Sequence, residues 1–507
     1  MYDRQFRQGV TGLLHLTSRL RLKPRFPRTV IAAAAVLAAA AAGPLAAPTP
    51  AVAQPTSSTS AFNSLTTQSH PDWMGLVPDA TSLGSLSVPG THDTLAIHGG
   101  LAPWAYEAQE DHGDSAATLT AQLDAGIRAV DIRLRVVNGG TAFTIHHTDV
   151  YQNANFDDVL THAQAFLSAH PTESILMNLH GECDADTTEG GSGTASIGHC
   201  ADDPSNTTEA DRIRILDSYL ARYPGLFYAP TVTGSSTAAM PTLGQVRGRI
   251  VLTDFTGPRG QVYPGFGLTQ LTTGDSGQYV ENDWTQCNLA TKWSEAQANL
   301  VKAGNDQSGA MYVTYTSSNC TPFGADPADM AGGYLGGTGE NQRLLDFLNA
   351  GGTARTGVVR TDFPGYALVG AIIDHNPGVS PTGPVGSGMA GKCLDDWQGS
   401  SAAGAAVDLY SCNGTPAQQW RADIDGTLRT NGLCLDVTGQ GTGAGTQVEL
   451  WTCNGGSNQQ WAPGPGGSLV GVQSGLCLDD PSSSVTDGTR LQIWTCNGTA
   501  AQRWTLP

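Results

Sequence analysis

The sequence predicts two domains of different class, a larger α/β domain built as a (β/α) barrel and a smaller all-β domain with threefold internal repetition. Three observations carry this. Helix-like stretches pass into short apolar strands repeatedly over residues 68–376. A cysteine-centred motif recurs three times over residues 388–507. The 507 residues are enough for two or three domains with full cores.

Composition supports the same reading. Charged residues make up 14 % and glycines number 63, which suits a loop-rich globular protein with much β structure. The formal net charge of −19 excludes tethering to nucleic acid through phosphate contacts.

The N-terminus is different in kind. Arg4, Arg7, Arg19, Arg21, Lys23, Arg25 and Arg28 stand against one acid, Asp3, and the Ala-rich run that follows ends in a small-residue A-x-A pattern before Gln54. Residues 1–53 therefore predict a secretory signal peptide and a secreted protein. A membrane anchor is the alternative, and Pro44 interrupts the run it would need. Residues 54–67 are expected to form a flexible N-terminal segment.

Within residues 68–376, "AQLDAGIRAVDIRLRVV" and "FDDVLTHAQAFLSAHPTESILMNLHGE" each run from a helical into a strand pattern. "GRIVLTDF", "AMYVTYTS" and "TGVVRTDF" are further strands. Such alternation argues for parallel strands joined by crossover helices. In a barrel the chemistry gathers at the C-terminal strand ends. At those ends lie His92 and Asp93, Asp131 and Arg133, His146 and His147, His180 and Glu182, Asp254, and Asp362. Buried charge is costly unless paired or used. Two histidines can serve as base and acid on opposite sides of a phosphorus centre. An arginine between them can hold the phosphate oxygens and offset growing negative charge, while carboxylates fix the imidazole tautomers. The layout fits phosphodiester cleavage by an internal hydroxyl and calls for no metal or other cofactor.

Residues 377–387, rich in Pro, Gly and Ser, read as a loose linker between independently moving domains. Beyond it, Cys393 and Cys412, Cys434 and Cys453, and Cys477 and Cys496 are each 19 residues apart. The copies cannot bury a core singly and must close on one another. Ten cysteines in an exported chain point to disulfides.

This tail, with Gln418/Trp420, Gln459/Trp461 and Gln502/Trp504 closing its copies, resembles the ricin-type lectins, β-trefoil carbohydrate-binding modules. The resemblance implies core packing for these Gln-x-Trp ends. It implies sugar contacts from Asp395, Tyr410 and Asn413, from Asp436, Trp451 and Asn454, and from Asp479, Trp494 and Asn497. A sugar ring would stack on the aromatic while the carboxylate accepts two hydroxyl protons.

"SVPGTHDT", "VDIRLR", "IHHTDV" and "HPTESILMNLHGE" resemble the X-domain of phosphatidylinositol-specific phospholipase C, in its bacterial, metal-independent branch. The resemblance implies a distorted TIM barrel over residues 68–376 that releases diacylglycerol and a 1,2-cyclic inositol phosphate. By motif match, His92 would be the general base and His147 the general acid. Arg133 would bind the phosphate where eukaryotic relatives use calcium. Asp93 would support the acid and the arginine, Asp131 would hold the cluster, and Asp362 would orient His92. His146 would be structural, and His98, His112, His162, His170 and His375, which carry no motif, would be surface or loop histidines. His180 and Glu182 occupy positions where the family has Lys and Glu, and with Trp284 they are expected to contact the headgroup. Asn282 and Trp284 stand for a family Asp and Tyr, and Asp254 lies where an Arg is expected. The reaction therefore carries over better than headgroup preference, which leaves a glycosylated inositol lipid or another polyol open. The acids around Glu182 keep calcium dependence as the weaker alternative. Cys183–Cys200 and Cys287–Cys320 are expected to be loop-bracing disulfides. A zinc site is the alternative, but no C-x-x-C pair is present.

The expected partners are a membrane phospholipid at the bilayer surface and a carbohydrate at the C-terminal domain, for a monomeric enzyme. A carbohydrate-binding adhesin with an inactive barrel is the competing reading. A glycoside hydrolase would need paired carboxylates in place of paired histidines.

Overall fold

The computed structural model describes residues 58–99, 106–137, 139–148, 150–182, 207–232, 238–257, 262–263, 265–272, 276–321 and 324–507. The expected signal peptide and Cys183–Cys200 lie outside these residues.

The larger domain is a barrel of parallel strands. β1 (Ser87–Thr91) pairs with β2 (Ala129–Val137), and β2 with β5 (Ile175–Gly181), which pairs with β6 (Ile250–Thr256). On its other edge β1 pairs with β9 (Gly357–Thr361), then β8 (Val313–Tyr315), then β7 (Val280–Glu281). Among the described residues no pairing joins β6 to β7, so the barrel is open along that seam. β3 (Ala142–His147) and β4 (Val150–Asn155) form an antiparallel hairpin on the upper half of β2.

Helices α1 (Ser115–Ala125) and α2 (Phe156–Ala169) precede β2 and β5 as the sequence pattern predicts. Asp114 accepts from the Ala117 amide at the start of α1, and Asn155 with Asp158 forms a capping box on α2. Leu119 and Leu123 of α1, and Val159, Leu160 and Ala163 of α2, enter the core with Val130, Ile132, Leu176 and Leu179 of the strands. Burying each such side chain is worth about 1.5–3 kcal/mol.

Pro89-Gly90 does not end its strand. β1 runs through both residues in register with β9, Ser87 opposite Gly357 and Thr91 opposite Thr361. Gly90 is needed for close approach: a β-carbon there would sit 2.7 Å from the Ala129 carbonyl oxygen.

The C-terminal domain is an all-β unit with three equivalent lobes. Trp420, Trp461 and Trp504 are buried, and each indole Nε1–H donates to the carbonyl of Leu394, Leu435 or Leu478 at 3.0–3.1 Å. Disulfides join Cys393–Cys412, Cys434–Cys453 and Cys477–Cys496, as the spacing predicts.

Two expectations about flexible segments are overturned. Residues 377–387 are not a loose linker: Thr382–Gly383 pairs with Trp420 and Arg421, and Gly386–Ser387 with Cys393, Trp504 and Thr505. The backbone donors and acceptors of this Pro/Gly-rich stretch are taken up at the trefoil's open edges. In the N-terminal segment read as flexible, the described residues 58–67 pack Phe62 on Phe363 and bury Ala61 and Leu65. The two domains, expected to move independently, also touch directly. Asp374 accepts from the Ile424 amide at 2.7 Å, Arg429 donates to Asn349 at 2.6 Å, and Gln68 donates to the Asp425 carbonyl at 3.1 Å.

Candidate active site

The open ends of β1, β2, β5 and β9 carry the candidate residues. Strand alternation places Asp131 and Arg133 on one face of β2, Asn178 and His180 on one face of β5, and Arg360 with the following Asp362 on one face of β9. His147 arrives by another route. It ends β3, which descends antiparallel to β2, so it reaches the mouth on a hairpin and not on a barrel strand.

Three of these strand ends turn sharply. Asp93, Thr148 and Phe363, each directly after a candidate catalytic residue, have φ of 41°, 53° and 43°. Non-glycine residues adopt this region at a cost of about 1–3 kcal/mol and hold it where the surroundings dictate it. Here those surroundings are hydrogen bonds within the site: the Asp93 amide donates to Asp131 and the Thr148 amide to Glu182.

Asp93 is the hub. Its Oδ2 lies 3.1 Å from His147 Nε2 and 3.6 Å from His92 Nε2, and its Oδ1 lies 2.6 Å from Arg133 Nε. Two imidazoles distant in sequence therefore face one carboxylate beside one guanidinium. Arg133 is held by three acids, with Asp131 at 2.7 Å and Glu182 at 3.0 Å completing the set. His92 Nδ1 pairs with Asp362 Oδ1 at 2.9 Å. Asn178 donates to Asp131 at 2.8 Å.

The electrostatics follow from this packing. Burial opposes charge on His92, but Asp93 and Asp362 outweigh it and raise its pKa to about 9. His147 is likewise raised against burial, chiefly by Asp93. Asp93 is held well below the usual carboxylate range, and Asp131 at about 2; for both, Arg133 overcomes the cost of burial. His180 goes the other way, pulled down to about 4 by burial and the nearby Arg133.

The structure brings His92, Asp93, Asp131, Arg133, His147, Glu182 and Asp362 into one cluster. His146 points elsewhere, its ring 5.4 Å from that of Tyr151. His180 is at the mouth with Nδ1 2.6 Å from Thr256 Oγ1, and it is neutral in place of the family's lysine. Glu182, expected to contact the headgroup, has its carboxylate bonded to Arg133 and to the Thr148 amide. Trp284 is 57 % exposed in the segment after β7, which the Cys287–Cys320 disulfide ties down; Asp283 of the same segment bonds to Thr285.

Sequence reasoning missed four residues. Arg360 is buried, donates to the Tyr315 hydroxyl and stands near Asp131 and Asp254. Tyr315 meets the His92 ring edge-on at 5.9 Å. Gln109 donates to the His92 and Thr361 carbonyls, and Gln122 bridges Thr91 and the Thr94 carbonyl. The signal for Arg360 was present: "RTD" repeats on β9 the inward spacing of "DIR" on β2. The glutamines lie in loop and helix text that no pattern marks.

In the trefoil, each Gln of the Gln-x-Trp ends does more than pack. Gln418, Gln459 and Gln502 each donate to the lobe's Asp (Asp395, Asp436, Asp479) and accept from the amide of Asn413, Asn454 or Asn497. Tyr410, Trp451 and Trp494 stay 40–43 % exposed beside them.

Comparison with known proteins matches these two regions separately. Residues 91–191 fit the model of the phosphatidylinositol-specific phospholipase C X domain, and residues 381–504 that of the ricin-type β-trefoil lectin domain. The chain joins a phospholipase C X domain to a ricin-type lectin domain. A 1-phosphatidylinositol phosphodiesterase of Listeria monocytogenes is 26 % identical over 317 residues, 62 % of this chain and 86 % of that protein. One of Staphylococcus aureus is 26 % identical over 348 residues, 63 % of this chain and 98 % of that protein. The solved phosphatidylinositol-specific phospholipase C of Listeria monocytogenes is 22 % identical, with a TM-score of 0.45 over 61 % of this chain and 99 % of its own. The candidate cluster's N-terminal members, His92 to Glu182, all fall inside the X-domain match, and Asp362 joins them from outside it.

Proposed function

We propose that this protein is a secreted phosphatidylinositol-specific phospholipase C that cleaves its lipid to diacylglycerol and a 1,2-cyclic inositol phosphate, and that its lectin domain holds it to glycan-bearing surfaces. The observation that carries the reading is the convergence of His92, His147 and Arg133 on Asp93.

His92 is the general base. In its neutral form, with Nδ1–H donated to Asp362, its Nε2 takes the proton of the inositol 2-hydroxyl. The oxygen so freed attacks phosphorus. The bond to the diacylglycerol oxygen breaks, and that oxygen takes a proton from His147 Nε2. Arg133, already charged and immobilised by three carboxylates, offsets the charge that builds on the phosphoryl oxygens. Asp131, Asp93 and Glu182 position these groups. No step calls on calcium. The basic and apolar N-terminus supports secretion, and the exposed aromatic beside a bracketed Asp and Asn in each trefoil lobe supports carbohydrate binding. The intact catalytic cluster argues against the adhesin.

The test is incubation with phosphatidylinositol vesicles in EDTA, followed by ³¹P NMR of the soluble phosphate. A cyclic phosphate that disappears in His92→Ala and in His147→Ala is expected. Turnover only on adding calcium would remove Arg133 from the role given to it.

A further inference from the structure

The three trefoil lobes are equivalent in sequence and unequal in place. Among the described residues, the glycine after the candidate sugar Asn has a barrel neighbour in the second lobe, at Gly455 next to Asn454, and none within 4 Å in the other two. The Tyr366 hydroxyl donates to the Gly455 carbonyl at 2.7 Å. A β-carbon at Gly455 would collide with Ser60 Oγ and meet the Ala367 β-carbon at 3.4 Å, whereas Gly414 and Gly498, its counterparts in the other lobes, have nothing within 4 Å. The contact sits on the catalytic side. Tyr366 opens the helix Tyr366–Ile373, which follows Asp362 directly. Four residues of chain keep these two Cα atoms within about 14 Å, and one tyrosine side chain then brings the second lobe within about 25 Å of Asp362, the reach of a short oligosaccharide.

Two of this lobe's three candidate sugar residues are nonetheless open. Trp451 is 43 % exposed and Asn454 is exposed. Asp436 is buried and fixed, its Oδ2 accepting from both Asn458 and Gln459 at 2.8 Å. The placement is held at the other end of the same helix, where Asp374 accepts from the Ile424 amide and a β-carbon on Gly370 would touch Asp425 at 3.1 Å.

From this juxtaposition, and resting on the phospholipase reading above, we propose that the second trefoil lobe and the barrel mouth form one composite site. Trp451, Asp436 and Asn454 engage a saccharide presented at the membrane surface while the adjacent pocket cleaves the inositol lipid. The other two lobes bind sugar without this coupling.

Full-length protein is assayed on vesicles of phosphatidylinositol alone, of phosphatidylinositol mixed with lactosyl or mannosyl lipid, and of phosphatidylinositol mannosylated on the inositol. At least one glycan-bearing surface is expected to raise turnover tenfold or more over the plain vesicle. Trp451→Ala abolishes that gain, while Tyr410→Ala and Trp494→Ala keep most of it. Tyr366→Phe lowers the gain severalfold with sugar affinity retained, since it loosens the docking and leaves the lobe whole. A gain on the mannosylated headgroup places the saccharide on the substrate itself, and a gain on the mixtures places it on a neighbouring lipid; either supports the composite site. Hydrolysis of plain vesicles with no gain on any glycan surface overturns it, as does loss of the gain to the same extent in all three aromatic variants. No hydrolysis of any inositol lipid sinks the phospholipase reading and the composite site with it.

Discussion

Asp131 in the barrel mouth and Asp436 in the trefoil are both buried carboxylates at functional positions, and they are held by opposite means. Asp131 faces the Arg133 guanidinium and is driven down to about 2. Asp436 is bracketed only by the neutral amides of Gln459 and Asn458, and burial pushes it up to about 6. The mouth must keep several charges fixed around a phosphate, so each is set by ions of opposite sign. A lobe that bound sugar as proposed would need one directed acceptor, which amides orient without adding charge. The mouth is assembled once, from strands far apart in the chain; the lobe is local and made three times.

Substitutions can break this contrast at either end. His92→Ala or His147→Ala should lower cyclisation about 10²–10⁴-fold each, and the double variant little further, because the two act as a unit. Single-turnover rates check this. In the trefoil the counterpart is structural. Trp461→Ala empties a buried indole site and should cost about 3–5 kcal/mol, read as a lowered unfolding temperature. A smaller loss separates orientation from packing: Gln459→Ala leaves Asp436 and the Asn454 amide short of a partner and should cost about 1–3 kcal/mol in stability, with weaker sugar binding by calorimetry.

The finest test is pH. A base must be neutral to accept a proton, so kcat/KM should climb with pH toward the His92 value of about 9. Asp362→Asn removes a negative partner that raises this pKa. Its rising limb should therefore move to lower pH, with a lower plateau because the tautomer is no longer fixed. An unmoved limb would assign that ionisation to another group.

How legible all this was depended on how local each cause is. Alternation on β2 announced Asp131 and Arg133, and the same alternation on β9 would have announced Arg360. The Gln-x-Trp pattern announced three lobes. Pro89-Gly90 is not decidable locally, because a turn signature and a strand forced into close approach look alike in one dimension. The Arg133–Glu182 bond was not legible either: nothing in sequence says whether a carboxylate at a strand end meets a neighbouring guanidinium.

By itself the sequence determined the two domain classes, the threefold repetition with its three disulfides, and the residue types of the candidate catalytic cluster. Periodicity, cysteine spacing and motifs record constraints that act over a few residues. Tertiary structure alone decided that Asp93 is the hub, that His147 descends on a hairpin, that the Pro/Gly stretch joins the trefoil, and that one lobe of three abuts the barrel. Those outcomes depend on which distant surfaces bury each other and which buried charges find partners, and no local pattern encodes them.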